Sequence, residues 1–152
     1  MSNKIKYYIG ADHAGIEIKK FVKELFEKNG HVVEDLGPYD TTRVDYPDFA
    51  AKVCESVLQN ENTKGILICG TGLGMSMAAN KFDGIRAALC HNDFSAAMAR
   101  EHNDANILCL GERVTGYGMV ESIVNSWLSH EFEGGRHAGR VEKINKLGSC
   151  RI

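Results

Sequence analysis

The chain has 152 residues, 43% of them hydrophobic and 25% charged, with a net charge of −2 and a pI near 6.3. That length suits a single domain over residues 1–152, and that composition excludes a disordered or fibrous chain. The charge balance excludes the basic face of a nucleic-acid or membrane-surface binder, and no stretch reaches the ~20 apolar residues of a membrane helix.

Five cysteines are present and no pair has CxxC spacing. With no secretory signal near Met1, this points to a reduced cytoplasmic protein rather than a disulfide framework.

Short apolar runs alternate with amphipathic stretches. Tyr7–Gly10 reads as a first strand. Residues 14–28 read as a helix, with Ile18, Phe21, Val22, Leu25 and Phe26 inward and Lys19, Lys20, Lys23, Glu24 and Glu27 outward. Asn29-Gly30 ends that helix. His31–Leu36 is a second strand, closed by Gly37-Pro38 and followed by a polar loop at 39–45. A helix follows Pro47, with Phe49, Val53 and Val57 on its inner face. Gly65–Cys69 is almost unbroken apolar sequence, the pattern of a parallel strand buried on both faces.

The turn Gly70-Thr71-Gly72-Leu73-Gly74 leads into a small-residue helix through Ala78 and Ala79. Then come a strand at Ile85–Cys90, a helix at Asp93–Glu101, a strand at Asn106–Leu110, a helix at Met119–Leu128 and a C-terminal helix at Arg136–Leu147. Five strand–helix alternations predict an α/β fold, a five-stranded parallel sheet with helices on both faces. Ligands in such sheets bind beyond the carboxyl ends of the strands. Asp12-His13, Cys69–Gly74 and Arg113 follow strands one, three and five, so all three segments are expected on one edge.

Each candidate has a bland alternative. The Gly-rich turn either presents amides to an anion or is only a tight connection; it lacks the spacing of a Walker loop or a dinucleotide fingerprint. Cys69 is either a core thiol or, where amides point outward at a strand end, a thiolate able to take a proton from a carbon beside a carbonyl. Asp12 either caps the next helix or holds hydroxyl groups, with His13 beside it for a phosphate. His102-Asn103 either ends a helix or serves a site; being near the opposite edge from Cys69, a catalytic His102 would have to act in a partner chain. Arg136 and Arg140 lie four apart, on one helix face, as a solvated pair or a phosphate clamp. The six histidines form no HExxH, no Cys/His cluster has zinc spacing, and no metal is expected.

The segments Gly10-Ala11-Asp12-His13, Asp45-Tyr46-Pro47, Ile66 through Ser76 with Ala79-Asn80-Lys81, Arg100 through Asp104, and Glu133-Gly134-Gly135-Arg136-His137 together resemble the type B ribose-5-phosphate isomerases. The resemblance runs to about Leu147. It implies a Rossmann-like three-layer fold, no metal or organic cofactor, and a homodimer with sites shared between subunits, which can pair further into a dimer of dimers.

It further implies that Cys69 is the general base between C1 and C2 of the sugar, with Thr71 handling protons beside it. Gly70, Gly72, Leu73 and Gly74 would hold the enediolate oxygens. His102 would open the furanose ring, with Asn103 on the substrate. Asp12 would bind sugar hydroxyls, and His13, Arg113, Arg136 and Arg140 the phosphate or substrate. A branch of that family uses a glutamate base where this chain has Met75, so the resemblance is to the cysteine branch. The expected reaction interconverts ribose 5-phosphate and ribulose 5-phosphate; a six-carbon sugar phosphate or a non-catalytic sensor are the alternatives. Residues 148–152, with Cys150, carry no reading.

Overall fold

A computed structural model describes residues 4–148 of the chain. The strands β1 (Lys6–Ala11), β2 (Val32–Asp35), β3 (Thr63–Cys69), β4 (Ala87–Leu89) and β5 (Ile107–Gly111) form one sheet, ordered β2-β1-β3-β5-β4, in which every pairing is parallel. The helices are α1 (Ile16–Lys28), α2 (Tyr46–Gln59), α3 (Leu73–Ala79), α4 (Asp93–Glu101), α5 (Tyr117–Ser129) and α6 (Arg136–Lys146). This is the expected α/β architecture, and Cys150 lies outside the described residues.

The alternation of β3 explains the three layers. Ile66 and Ile68 pack on one face against Val22, Phe26, Val120 and Ile123 of α1 and α5. Leu67 and Cys69 pack on the other against Val53, Met75 and Ala79 of α2 and α3. A central strand covered on both sides can be apolar at successive positions. The strand order reverses at β1 and β3, and the crevice above such a reversal is where open α/β sheets place ligands.

Most expected boundaries shift by one or two residues, and the shifts at the first helix and the fourth strand have clear causes. The first helix opens with a 3-10 turn, His13–Gly15, because Asp12 Oδ1 accepts from the Ala14 amide at 2.9 Å before the α-helical ladder begins. The fourth strand shrinks to Ala87–Leu89: the Ile85 amide bonds to the Phe82 carbonyl in a turn and never joins the ladder.

Lys19 overturns its expected outward position. It is only 2% exposed, because it stands three residues before Val22 and seven before Phe26, on the inner stripe of α1. Its ammonium donates to Asp35 Oδ1 at 2.9 Å and to the Pro38 carbonyl, tying α1 to the end of β2. Breaking one partner of a buried pair strands the other. Lys19→Ala is therefore expected to lower unfolding stability by about 3 kcal/mol, read by denaturant titration. A loss within the ~0.5 kcal/mol of an ordinary surface substitution would show that the pair is not needed.

Candidate active site

The carboxyl ends of β1, β3 and β5 are adjacent, so the loops that follow them are stitched together. The Asp12 amide donates to the Ile68 carbonyl (3.0 Å), that of Glu112 to Cys69 (2.9 Å) and that of Arg113 to Gly70 (2.9 Å). Asp12, the Cys69–Gly74 loop and Arg113 thus meet at one edge.

Cys69 sits at the centre of this edge, 5% exposed. Its Sγ accepts from the Gly72 amide at 3.1 Å. Gly72 can turn its N–H back because it adopts φ +77°; a Cβ there would also lie 2.5 Å from Leu89 Cδ1. Gly111 permits an equally close approach, since a Cβ on it would stand 2.5 Å from the Thr71 carbonyl carbon. Thr71 is exposed, and its Oγ1 accepts from the Leu73 amide at 3.2 Å. Two loop amides are therefore committed internally, while those of Gly70 and Thr71 donate to no backbone or side-chain acceptor among the described residues. The Arg113 side chain lies over Gly70, its Cδ and Cζ each 3.6 Å from where a Cβ would be.

The other thiols differ. Cys54 and Cys90 are pushed by burial up to about 12 and about 11, and burial raises Cys109 well above its ordinary value. Met75 is fully buried in the α2–α3 core and offers no proton acceptor.

Asp12 is 8% exposed, with Oδ1 committed to Ala14. His13 Nδ1 accepts from the Val44 amide at 3.2 Å, so a neutral ring carries its proton on Nε2, a donor suited to a phosphate oxygen. Asp12 and His13 line a cleft of about 440 Å³ with Arg43, Val44, Asp45 and Tyr46. The polar loop before α2 thus closes over the edge, which composition alone does not show. Glu112 was also missed; the only signal was an acid beside Arg113 after a strand. Burial raises its carboxyl pKa, the Ile18 amide on Oε1 (3.1 Å) opposes this, and Glu17 and Asp12 add to the rise.

His102, Asn103, Arg136 and Arg140 stand elsewhere. His102 caps the end of α4, at the amino edge of the sheet. Cys69 pairs with Gly111, and β5 alone covers about 13 Å between Ile107 and Gly111. Asn103 is exposed, its carbonyl held by Arg86 Nε at 3.1 Å, and Arg136 and Arg140 are exposed on α6. Within one chain, therefore, these four do not join Cys69.

They gather around a cluster that sequence spacing did not reveal. The His102 ring stacks on His137, with centroids 4.1 Å apart and planes 14° from parallel. His137 Nε2 lies 3.6 Å from Glu133 Oε2, and His102, Glu133 and His137 bring one donor atom each within 4.8 Å. Imidazole lone pairs lie in the ring plane, so two nearly parallel rings do not converge on one ion. Burial, then His102 and Arg136, hold the His137 imidazole below its usual pKa, which keeps it neutral beside His102.

A family model described as ribose/galactose isomerase matches residues 7–144. The chain belongs to the ribose/galactose isomerase family. Escherichia coli ribose-5-phosphate isomerase B is 46% identical, over 96% of this chain and 98% of its own. The D-erythrulose-4-phosphate isomerase of Pectobacterium atrosepticum is 44% identical, over 90% of each. The solved ribose-5-phosphate isomerase B of Clostridium thermocellum superposes with a TM-score of 0.92 at 52% identity, over 95% of this chain and 98% of that one.

Proposed function

We propose that this chain interconverts ribose 5-phosphate and ribulose 5-phosphate through an enediolate, with Cys69 as general base. The observation that carries this is the thiol itself: among the described residues it is the one cysteine whose sulfur meets a backbone amide, at a strand end beside Asp12 and Arg113.

Isomerisation needs a base at the C2 hydrogen, donors for the developing oxyanion and a way to return the proton to C1. Cys69 Sγ takes the C2 proton and delivers it to C1. The uncommitted amides of Gly70 and Thr71 stabilise charge on O1 and O2, each such donor being worth about 3 kcal/mol in the transition state. Of the other amides assigned to that task, Gly72 and Leu73 instead position Cys69 and Thr71, while that of Gly74, in the first turn of α3, stays open to an oxygen. Thr71 Oγ1 assists the proton exchange between O2 and O1. Asp12 orients hydroxyl groups, and the phosphate is bound by His13 Nε2–H and Arg113 of one chain together with Arg136 and Arg140 brought by the partner chain. This machinery asks for no metal or organic cofactor.

The ring must open first, which requires a proton lost from O1 and one gained by O4. His102 performs this step in our reading. Its place at the amino edge means that it serves the Cys69 of a partner chain, in a two-fold homodimer with shared sites. Exposed apolar side chains support such an assembly: Leu73 and Met77 on α3, and Phe94 and Met119 near the starts of α4 and α5, are left 41–69% exposed. The four cysteines among the described residues are free thiols, which suits a reducing cytoplasm, and among those residues no helix is long and apolar enough to cross a membrane.

The test is kcat/KM with EDTA present, for ribose 5-phosphate against allose 6-phosphate. We expect a preference for the five-carbon substrate of at least ~10-fold, the scale of a mismatch of one carbon unit in a fitted pocket. Preference for the six-carbon sugar would keep the mechanism and change the substrate, and turnover of neither would turn the reading to galactose 6-phosphate or to a non-catalytic sensor.

A further inference from the structure

At the amino edge of the sheet, away from the Cys69 loop, a cavity of about 330 Å³ is lined by Tyr7, His31, Lys64, Arg100, Trp127 and Phe132 among others. The hydrogen-bonding groups of this lining are unbalanced. His31 is 6% exposed; its Nδ1 accepts from the Ile5 amide at 3.3 Å, which leaves the proton of the neutral ring on Nε2, and that buried atom has no partner. Tyr7 Oη accepts from Trp127 Nε1 at 3.2 Å, and its own hydrogen finds no acceptor among the described residues. Lys64 Nζ makes neither a hydrogen bond nor an ion pair among those residues. Arg100 spends Nη1 on Asp104 Oδ1 and the Ala105 carbonyl, leaving Nε and Nη2 unbonded, and its Cζ sits 5.4 Å from the Trp127 ring centroid.

Four side chains thus offer donors that no described residue receives, and His31 Nε2 is the one among them shut off from solvent. A buried donor of that kind is normally paired. On the other side of the account, Glu131 is the one carboxylate among the lining residues; it is exposed and within 4 Å of no cation. His130, also in the lining, is already 3.5 Å from Glu101. Burial and then Arg100 hold the Lys64 ammonium pKa below its usual value, with Asp104 and Glu131 opposing. Burial keeps the Tyr7 hydroxyl protonated, pushed up to about 12.

We propose that this cavity is a second ligand site, separate from the isomerase site, that takes a small organic oxyanion. Its phosphate or carboxylate accepts from Lys64, His31 Nε2–H and Tyr7 O–H, and its carbon body lies on the rings of Trp127 and Phe132. A volume of about 330 Å³ exceeds what a bare inorganic anion fills and suits a ligand of several carbons.

Trp127 is the only tryptophan, so the full-length protein labelled with ¹⁵N shows a single indole N–H resonance, and that group bonds directly to Tyr7. Phenyl phosphate and benzoate serve as probes for the two anion types. We expect a saturable shift of the indole resonance with at least one of them, and the stronger binder identifies the headgroup. Lys64→Gln is expected to weaken that binding at least ~10-fold, the loss of one charge-assisted hydrogen bond. His31→Phe keeps the ring, removes the donor and is expected to weaken it likewise. A double variant, Arg136→Ala with Arg140→Ala, should leave the shift intact. No saturable shift with either probe, or unchanged affinity in both cavity variants, overturns the proposal. So does loss of the shift in the arginine double variant, which would place the signal at the phosphate clamp. None of these readings depends on turnover, so the isomerase proposal stands or falls separately.

Discussion

Cys69→Ala is expected to lower kcat about 10³-fold on ribose 5-phosphate, the contribution of a positioned general base, while phosphate affinity changes little. The smaller side chain removes only the sulfur that accepts from Gly72 and leaves the proposed phosphate ligands His13, Arg113, Arg136 and Arg140 in place. Steady-state turnover gives kcat, and competition by inorganic phosphate gives the binding term. Cys54, Cys90 and Cys109 are internal controls. Burial raises the pKa of all three, and each can be replaced singly by alanine with kcat expected to stay within ~2-fold while stability falls. If Cys69→Ala kept the wild-type kcat, the base would lie elsewhere, and Met75 is not available for the role.

His102→Ala separates ring opening from isomerisation through the choice of substrate. Ribose 5-phosphate exists mainly as a furanose closed through O4. An aldotetrose 4-phosphate has that oxygen esterified and cannot close the ring. Erythrose 4-phosphate is an open-chain probe of this kind. If His102 moves the ring protons, the variant loses about 10²–10⁴-fold on ribose 5-phosphate and much less on erythrose 4-phosphate. Equal losses on both would assign His102 to binding or to folding. His137 must be considered in that experiment. The two rings stack at 4.1 Å, so removing one frees the other. His102→Phe keeps the stack and should reproduce the alanine result if proton transfer, not packing, is what is lost.

Much of the fold was legible because the chain writes it in two periods. The apolar run from Gly65 to Cys69 reads as a strand covered on both faces, and the spacing of Ile18, Val22, Leu25 and Phe26 reads as one buried face of a helix. What periodicity could not show were polar groups that satisfy each other after folding. Lys19 looks like a surface residue until Asp35 and Pro38, some sixteen and nineteen positions away, are brought to its ammonium. The edge-strand limits at β4 were hidden for a similar reason, since a turn at Phe82–Ile85 competes with the ladder. At the site, the grouping of Asp12, Cys69 and Arg113 follows from strand order and the rule for carboxyl ends. The stacking of His102 on His137, and the closure of the loop at Val44 over His13, depend on tertiary contacts that no local signal encodes.

The separation of His102 from Cys69 along β5 has a consequence at the level of inheritance. In the proposed dimer with shared sites, each chain gives Cys69 to one reaction and His102 to the other. A chain lacking both Cys69 and His102 would therefore spoil both sites of any normal chain it joins. In a cell making the two in a mixture, working sites would be confined to pairs of normal chains, and activity would fall as the square of their fraction. The defective allele would act dominantly, whereas a protein with all its machinery in one chain would lose activity only in proportion.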